Sequence, residues 1–88
     1  MERYKPVLKE AKSVDITYIY KRLKDYKKGI ISENNCIDGI LLDLRKKGDK
    51  KAEEIITDHV ENSIDETRND TDLKKLAIEI YHLIYRGF

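Results

Sequence analysis

Two histidines, one cysteine and a set of carboxylates are the side chains in this sequence that could bind a metal or exchange protons. Glu79 and His82 have the Glu-x-x-His spacing that forms one half of a carboxylate-bridged di-metal site. The other half requires a second Glu-x-x-His, but Ile56 stands three residues before His59. A closed zinc site is also incomplete, because one Cys and two His without paired spacing supply too few soft ligands. We therefore predict no metal, no cofactor and no catalytic residues.

Four carboxylates follow one another along a predicted helix at i, i+4, i+7 and i+11. They project from the side opposite Ala52, Ile56, His59 and Ser63, given a helical rotation of about 100° per residue. Like charges at i and i+4 cost a few tenths of a kcal/mol per pair, so a cationic partner would relieve the repulsion. A merely solvated surface is the alternative interpretation. This acidic stripe consists of Glu54, Asp58, Glu61 and Asp65.

A Lys-rich predicted helix carries five residues that could contact phosphates or acidic protein surfaces. Exposed Lys and Arg can contact phosphates without reading bases, and a tyrosine could stack on a base or a ribose. The net charge of only +1 argues against nucleic acid, because the acidic half would repel the same phosphates. An ordinary soluble, helix-forming surface is the alternative interpretation. The predicted contact residues are Tyr18, Lys21, Arg22, Lys24 and Lys28.

A pair of adjacent glutamates and a histidine-bearing helix resemble one enzyme family. Glu53-Glu54 is followed by an acidic residue one turn later, and the last predicted helix contains Ile80-Tyr81-His82-Leu83. Over roughly a third of the chain this resembles the all-α nucleotide pyrophosphohydrolases of the MazG type. The resemblance implies magnesium bound by carboxylates from two neighbouring helices. The second acidic pair is missing, since residues 75–78 read Lys-Leu-Ala-Ile and only Glu79 remains.

The histidines and the cysteine have structural interpretations. His59 falls within an apolar stripe and is expected to pack at the core edge with one hydrogen-bond partner, although a pH-sensitive contact is the alternative. His82 is expected at a boundary beside Tyr81 and Tyr85. Cys36 is expected to be a small core residue.

The hydrophobic spacing predicts an all-α fold, because nothing alternates with a period of two for long enough to indicate a sheet. Ser13 and Asp49 are predicted N-caps, with Asp15 early in the first helix, and Gly29, Gly48 and Gly87 follow basic residues as stop signals. The chain is expected to form one domain, with an irregular arm over residues 1–12. We predict a small bundle of three to four helices over about 14–28, 35–47, 50–66 and 72–86.

The segment YKKGIISENN, residues 26–35, decides whether the first two helices are separate. Glycine, serine and asparagine residues here each cost roughly 0.5–1 kcal/mol in a helix interior, which favours a break near Ile31 to Asn35. The seven-residue spacing of apolar residues favours one long helix from Val14 to Lys47, which would require a dimer. We prefer the break. The residues at that spacing are Ile16, Leu23, Ile30, Ile37 and Leu44.

The charges are divided along the chain. Residues 1–51 hold 14 Lys or Arg against 8 Asp or Glu, and residues 52–88 hold 4 against 9, so their net charges are +6 and −5. A charged N-terminus and the lack of any apolar run of about 20 residues predict a cytoplasmic protein without membrane spans. We expect an intracellular protein-binding module, such as a regulator, adaptor, inhibitor or immunity-type factor, that self-associates. A nucleic-acid-binding regulator is the alternative, and a metal-dependent nucleotide hydrolase is the third hypothesis.

Overall fold

The computed structural model describes residues 14–86, and within them the fold is an all-α bundle, as the sequence predicts. Residues 64–66 form one 3₁₀ turn, and the described part of the chain contains no strand. The predicted arm, the predicted cap at Ser13 and the predicted stop at Gly87 lie outside the described residues. The helices are α1 (Ile16–Lys27), α2 (Glu33–Ile40), α3 (Leu42–Lys47), α4 (Lys50–Ser63) and α5 (Asp70–Arg86).

Short polar side chains begin the first and the fourth helix. Asp15 is the N-cap of α1, where its carboxylate accepts a hydrogen bond of 2.8 Å from the Tyr18 backbone N–H. This differs from the prediction, which placed Asp15 inside the first turn. Asp49 caps α4 as predicted, accepting from the Ala52 N–H at 3.1 Å. Each cap satisfies a backbone donor that the helix leaves without a partner.

The chain breaks between α1 and α2, so the alternative of one long helix is wrong. Gly29 has φ +79°, a left-handed conformation that ends α1. Ser32 then caps α2, accepting a hydrogen bond of 3.1 Å from the Asn35 N–H. The turn therefore spans residues 28–32, slightly before the predicted position, and Ser32 is one of the predicted caps.

The second predicted helix, 35–47, is divided at Leu41. The backbone there has φ −86° and ψ 3°, outside the helical range, and separates α2 from α3. The bend occurs where three buried side chains, Ile40, Leu41 and Leu44, all enter the core. Helix α3 ends at Gly48 with φ +75°, as its stop signal predicts.

Helix α5 is the central element, because it packs against both α1 and α4. Helices α1 and α5 are antiparallel: near the end of α1, the Lys27 ammonium donates to the carbonyl oxygens of Ile64 and Thr67 just before α5 begins, at 3.3 and 3.1 Å. The Tyr85 hydroxyl donates to the Asp43 carboxylate and joins α5 to α3. The largest fully buried side chains are Ile19, Leu23, Ile40, Leu41, Ile56, Ile64 and Ile80.

Candidate functional site

The acidic stripe is exposed: Glu54, Asp58 and Glu61 lie on α4, whereas Asp65 lies on the 3₁₀ turn after it, because α4 ends at Ser63 and not at the predicted residue 66. Ile56 and Val60, on the other side of the helix, are buried in the core and orient the four carboxylates outwards. None of the four makes an ion pair with any residue from 14 to 86. The carboxylates of Glu54, Asp58, Glu61 and Asp65 are therefore available to a partner, at the positions that the sequence predicts.

Negative charge continues from the acidic stripe onto the beginning of α2. Tyr26 on α1 is half-buried, and burial is the largest cause raising the pKa of its hydroxyl. The charges of Glu33, Asp65 and Glu61 raise this pKa further. Carboxylates of α2, α4 and the 3₁₀ turn therefore act electrostatically on Tyr26, an aromatic side chain that sequence spacing did not connect with the acidic stripe.

The basic edge of α1, defined as Lys21, Lys24 and Lys28, lies along the outer side of that helix. Lys21 and Lys28 are exposed, whereas Lys24 is half-buried with its ammonium 5.5 Å from the centre of the Tyr20 ring. A hydrogen bond with Tyr20 and then the Asp70 charge raise the pKa of Lys24. Lys24 thus interacts with side chains of the fold and is only partly exposed, while the other two lysines are exposed to solvent.

Arg22 belongs to the same predicted set but contacts α2. Its guanidinium donates to the Asn35 carbonyl and, at 2.8 Å, to the Asn35 side-chain oxygen. It also lies against Gly39, where a Cβ would stand 2.5 Å from Arg22 Nε. The Tyr18 ring centre is 5.7 Å from the guanidinium carbon. Arg22 therefore joins α1 to α2 through Nη2, while its Nε is buried without a hydrogen-bond partner among the described residues.

Two hollows beside the basic edge contain carboxylates as well as cations. One of about 220 Å³ lies between the end of α1 and the start of α5, where Lys28 and Arg68 face Asp70. The other, of about 340 Å³, places Asp25 among the lysines. The positive potential at these hollows is consequently lower than the lysine count alone suggests.

A groove of about 470 Å³ lies between α4 and α5. His59 Nε2 is 3.1 Å from Glu79 Oε1, which confirms the single hydrogen-bond partner expected of this histidine. His82 is exposed, with its ring centre 6.0 Å from that of Tyr81. Within residues 14–86, no group of three or more His, Cys, Asp or Glu side chains is placed to bind a metal ion. The groove is lined by His59, Glu79, His82, Leu83 and Arg86.

Cys36 is a core residue, as its sequence context predicts. Its side chain is 1% exposed, and burial raises the pKa of the thiol to about 11. The thiol is therefore protonated at neutral pH and contributes packing rather than reactivity.

Comparison with known proteins returns no relative. No protein-family model matches the chain, and neither a curated protein nor a solved structure is significantly similar to it. Across residues 14–86, no helix combines the length and the apolar character needed to cross a membrane.

Proposed function

We propose that this chain is a helical protein-binding module whose acidic stripe takes a cationic protein surface. The observation that carries the proposal is the set of four exposed carboxylates without an ion pair among the described residues. Their mutual repulsion is a small cost in the free chain, and a bound cationic surface removes it. Complementary charge of this kind raises the association rate and fixes the orientation of the partner more than it raises affinity.

The length of the acidic stripe favours a protein partner over a metal ion. Glu54 and Asp65 are eleven residues apart on α4 and its continuation, which corresponds to about 16 Å along a helix axis. Oxygen ligands of a calcium or magnesium ion all lie within about 2–2.6 Å of one centre, so one ion cannot engage the whole stripe. A helix or an extended segment with spaced Lys or Arg side chains can.

Nucleic-acid binding through α1 is the second candidate, supported by the exposed lysines Lys21 and Lys28. It is weaker because Asp25 and Asp70 lie in the adjoining hollows and Arg22 is bound to Asn35. A gel shift with DNA and RNA at about 50 mM salt tests it, since phosphate contacts are strongest at low salt. A shift that a Lys21/Lys24/Lys28 triple alanine variant abolishes would support this candidate, and no shift would exclude it.

Site-specific photo-crosslinking in the native host tests the protein-binding proposal. A photoreactive amino acid replaces Asn62, which is exposed beside the acidic stripe, or Ile78, which is exposed on the outer side of α5 as a matched control. We expect a discrete protein adduct from position 62 that is absent from position 78. The adduct should disappear when the four carboxylates are replaced by their amides. Equal adducts from both positions, adducts that survive the replacement, or no protein adduct would contradict the proposal.

A further inference from the structure

We propose that the cationic surface recognised by the acidic stripe is the basic edge of a second copy of this chain. The inference rests on the proposed function and adds the identity of the partner. Within residues 14–86, no ion pair joins the two surfaces of one copy. Helices α1 and α4 each pack against α5, and all the residues of the two charged surfaces are exposed except Lys24, which is half-buried. One copy can therefore offer both surfaces at once to its neighbours.

The spacing of the charges matches between the two surfaces. Read towards its N-terminus, the basic edge runs Lys28, Lys24, Lys21, with separations of four and three residues. The acidic stripe begins Glu54, Asp58, Glu61, with the same separations of four and three. Antiparallel docking of α1 on α4 therefore places each ammonium opposite one carboxylate, over about 10 Å of helix. The three intermolecular pairs are Lys28 with Glu54, Lys24 with Asp58 and Lys21 with Glu61.

An apolar contact selects the antiparallel register. A parallel register would align Lys21, Lys24 and Lys28 with the last three carboxylates, and would carry the α1–α2 turn beyond the end of α4. In the antiparallel register the turn would instead lie over a hollow of about 280 Å³, whose lining combines Leu41 and Thr57 with the charged Arg45, Lys50, Glu53, Glu54 and Asp58. Ile30 in that turn is 65% exposed, the most exposed large hydrophobic side chain among residues 14–86. Seating Ile30 in the hollow would remove this apolar surface from water.

This contact joins two different surfaces and is therefore heterologous. Such contacts build a ring if the rotation closes and an open chain of copies if it does not. The unmodified protein can consequently exceed a dimer, whereas a copy with one neutralised surface can only end a chain. Two variants that each lack a different one of the charged surfaces should therefore bind each other but not themselves.

Sedimentation velocity with two surface variants tests this inference. One variant carries Glu54→Gln, Asp58→Asn, Glu61→Gln and Asp65→Asn; the other carries Lys21→Gln, Lys24→Gln and Lys28→Gln. At tens of micromolar and low salt, we expect the unmodified protein to exceed the monomer mass, and each variant alone to be monomeric with unchanged helical circular dichroism. An equimolar mixture of the variants should form a one-to-one dimer and nothing larger. An unmodified protein that stays monomeric, or variants that associate as it does, would overturn the inference.

Disulfide formation between cysteine variants tests the antiparallel register of α1 on α4. The pair Lys28→Cys and Glu54→Cys should form an intermolecular disulfide at least tenfold faster than the pair Lys28→Cys and Asp65→Cys. Cys36 does not interfere because it is buried. A faster reaction of the second pair would overturn the antiparallel register. If the protein is monomeric but position 62 still crosslinks to another protein in the host, self-recognition fails while the proposed function stands.

Discussion

At the scale of single residues, Arg22 shows how a surface-like position in a Lys-rich helix becomes structural. Its hydrogen bonds to Asn35 require close approach to Gly39, since a Cβ at that glycine would stand 2.5 Å from Arg22 Nε. In the sequence Gly39 counts only as a poor helix former. In the structure, the absence of a side chain at Gly39 leaves the space that the Arg22 guanidinium occupies. This explains why a glycine is tolerated inside an eight-residue helix.

A double-mutant cycle tests this dependence. Gly39→Ala should lower the free energy of unfolding by about 1 kcal/mol, because displacement of the guanidinium weakens charge-assisted hydrogen bonds and outweighs the gain in helix propensity. In an Arg22→Ala background the same change should instead stabilise by about 0.5–1 kcal/mol, since only the propensity gain remains. Urea denaturation measures all four proteins. An equal effect of Gly39→Ala in both backgrounds would contradict the contact.

The Cys36 thiol gives a second prediction at this scale. Burial raises its pKa from 9.0 to about 11, so the thiol of the unfolded chain loses its proton at a lower pH than the thiol of the native state does. The protonated thiol therefore contributes fully to the free energy of unfolding below pH 9. This contribution falls as the pH rises towards 11. At pH 8 we expect native protein to react with a thiol reagent at least a hundredfold more slowly than urea-unfolded protein. Similar rates in the two states would show that the thiol is accessible.

At the scale of elements, features that depend on adjacent residues could be predicted from the sequence, whereas features that depend on tertiary packing could not. The stops at Gly29 and Gly48 and the cap at Ser32 could be predicted because each depends on a few adjacent residues. The seven-residue apolar spacing was misleading, since Ile30 is 65% exposed in a turn. The bend at Leu41 could not be predicted because it depends on which side chains enter the core. The positions of the acidic stripe and of the lysines followed from helix periodicity, whereas the engagement of Arg22 by α2 did not.

The conformation of Gly29 gives a prediction about the α1–α2 turn. At φ +79°, with open space around it, a side chain at this position meets no steric obstacle but strains the backbone. Gly29→Ala should therefore cost about 1–2 kcal/mol of stability without increasing helix content, whereas Gly29→Asn should cost less because Asn tolerates the left-handed conformation. Urea denaturation and circular dichroism measure both quantities. A rise in helix content on Gly29→Ala would mean that the turn is held by the glycine alone.

At the scale of the whole molecule, the chain separates opposite charges that its net charge of +1 conceals. Within residues 14–86 no ion pair joins the basic edge to the acidic stripe of the same copy. In the proposed contact between copies, the basic edge of one copy would meet the acidic stripe of another at close range, where screening by salt is weaker. The free energy of this electrostatic attraction depends strongly on salt concentration, whereas the free energy of burying apolar surface depends on it much less.

A substitution of Ile30 separates the apolar contribution from the electrostatic one. Ile30→Ser should weaken self-association by roughly tenfold or more, since burial of an isoleucine contributes about 1.5–3 kcal/mol and each 1.4 kcal/mol is tenfold. The salt dependence of the dissociation constant should stay unchanged, because no charge is altered. Ile78→Ser, an exposed control on α5, should alter neither quantity. Sedimentation across a salt series measures both, and equal weakening by the two serine variants would show that Ile30 lies outside the contact.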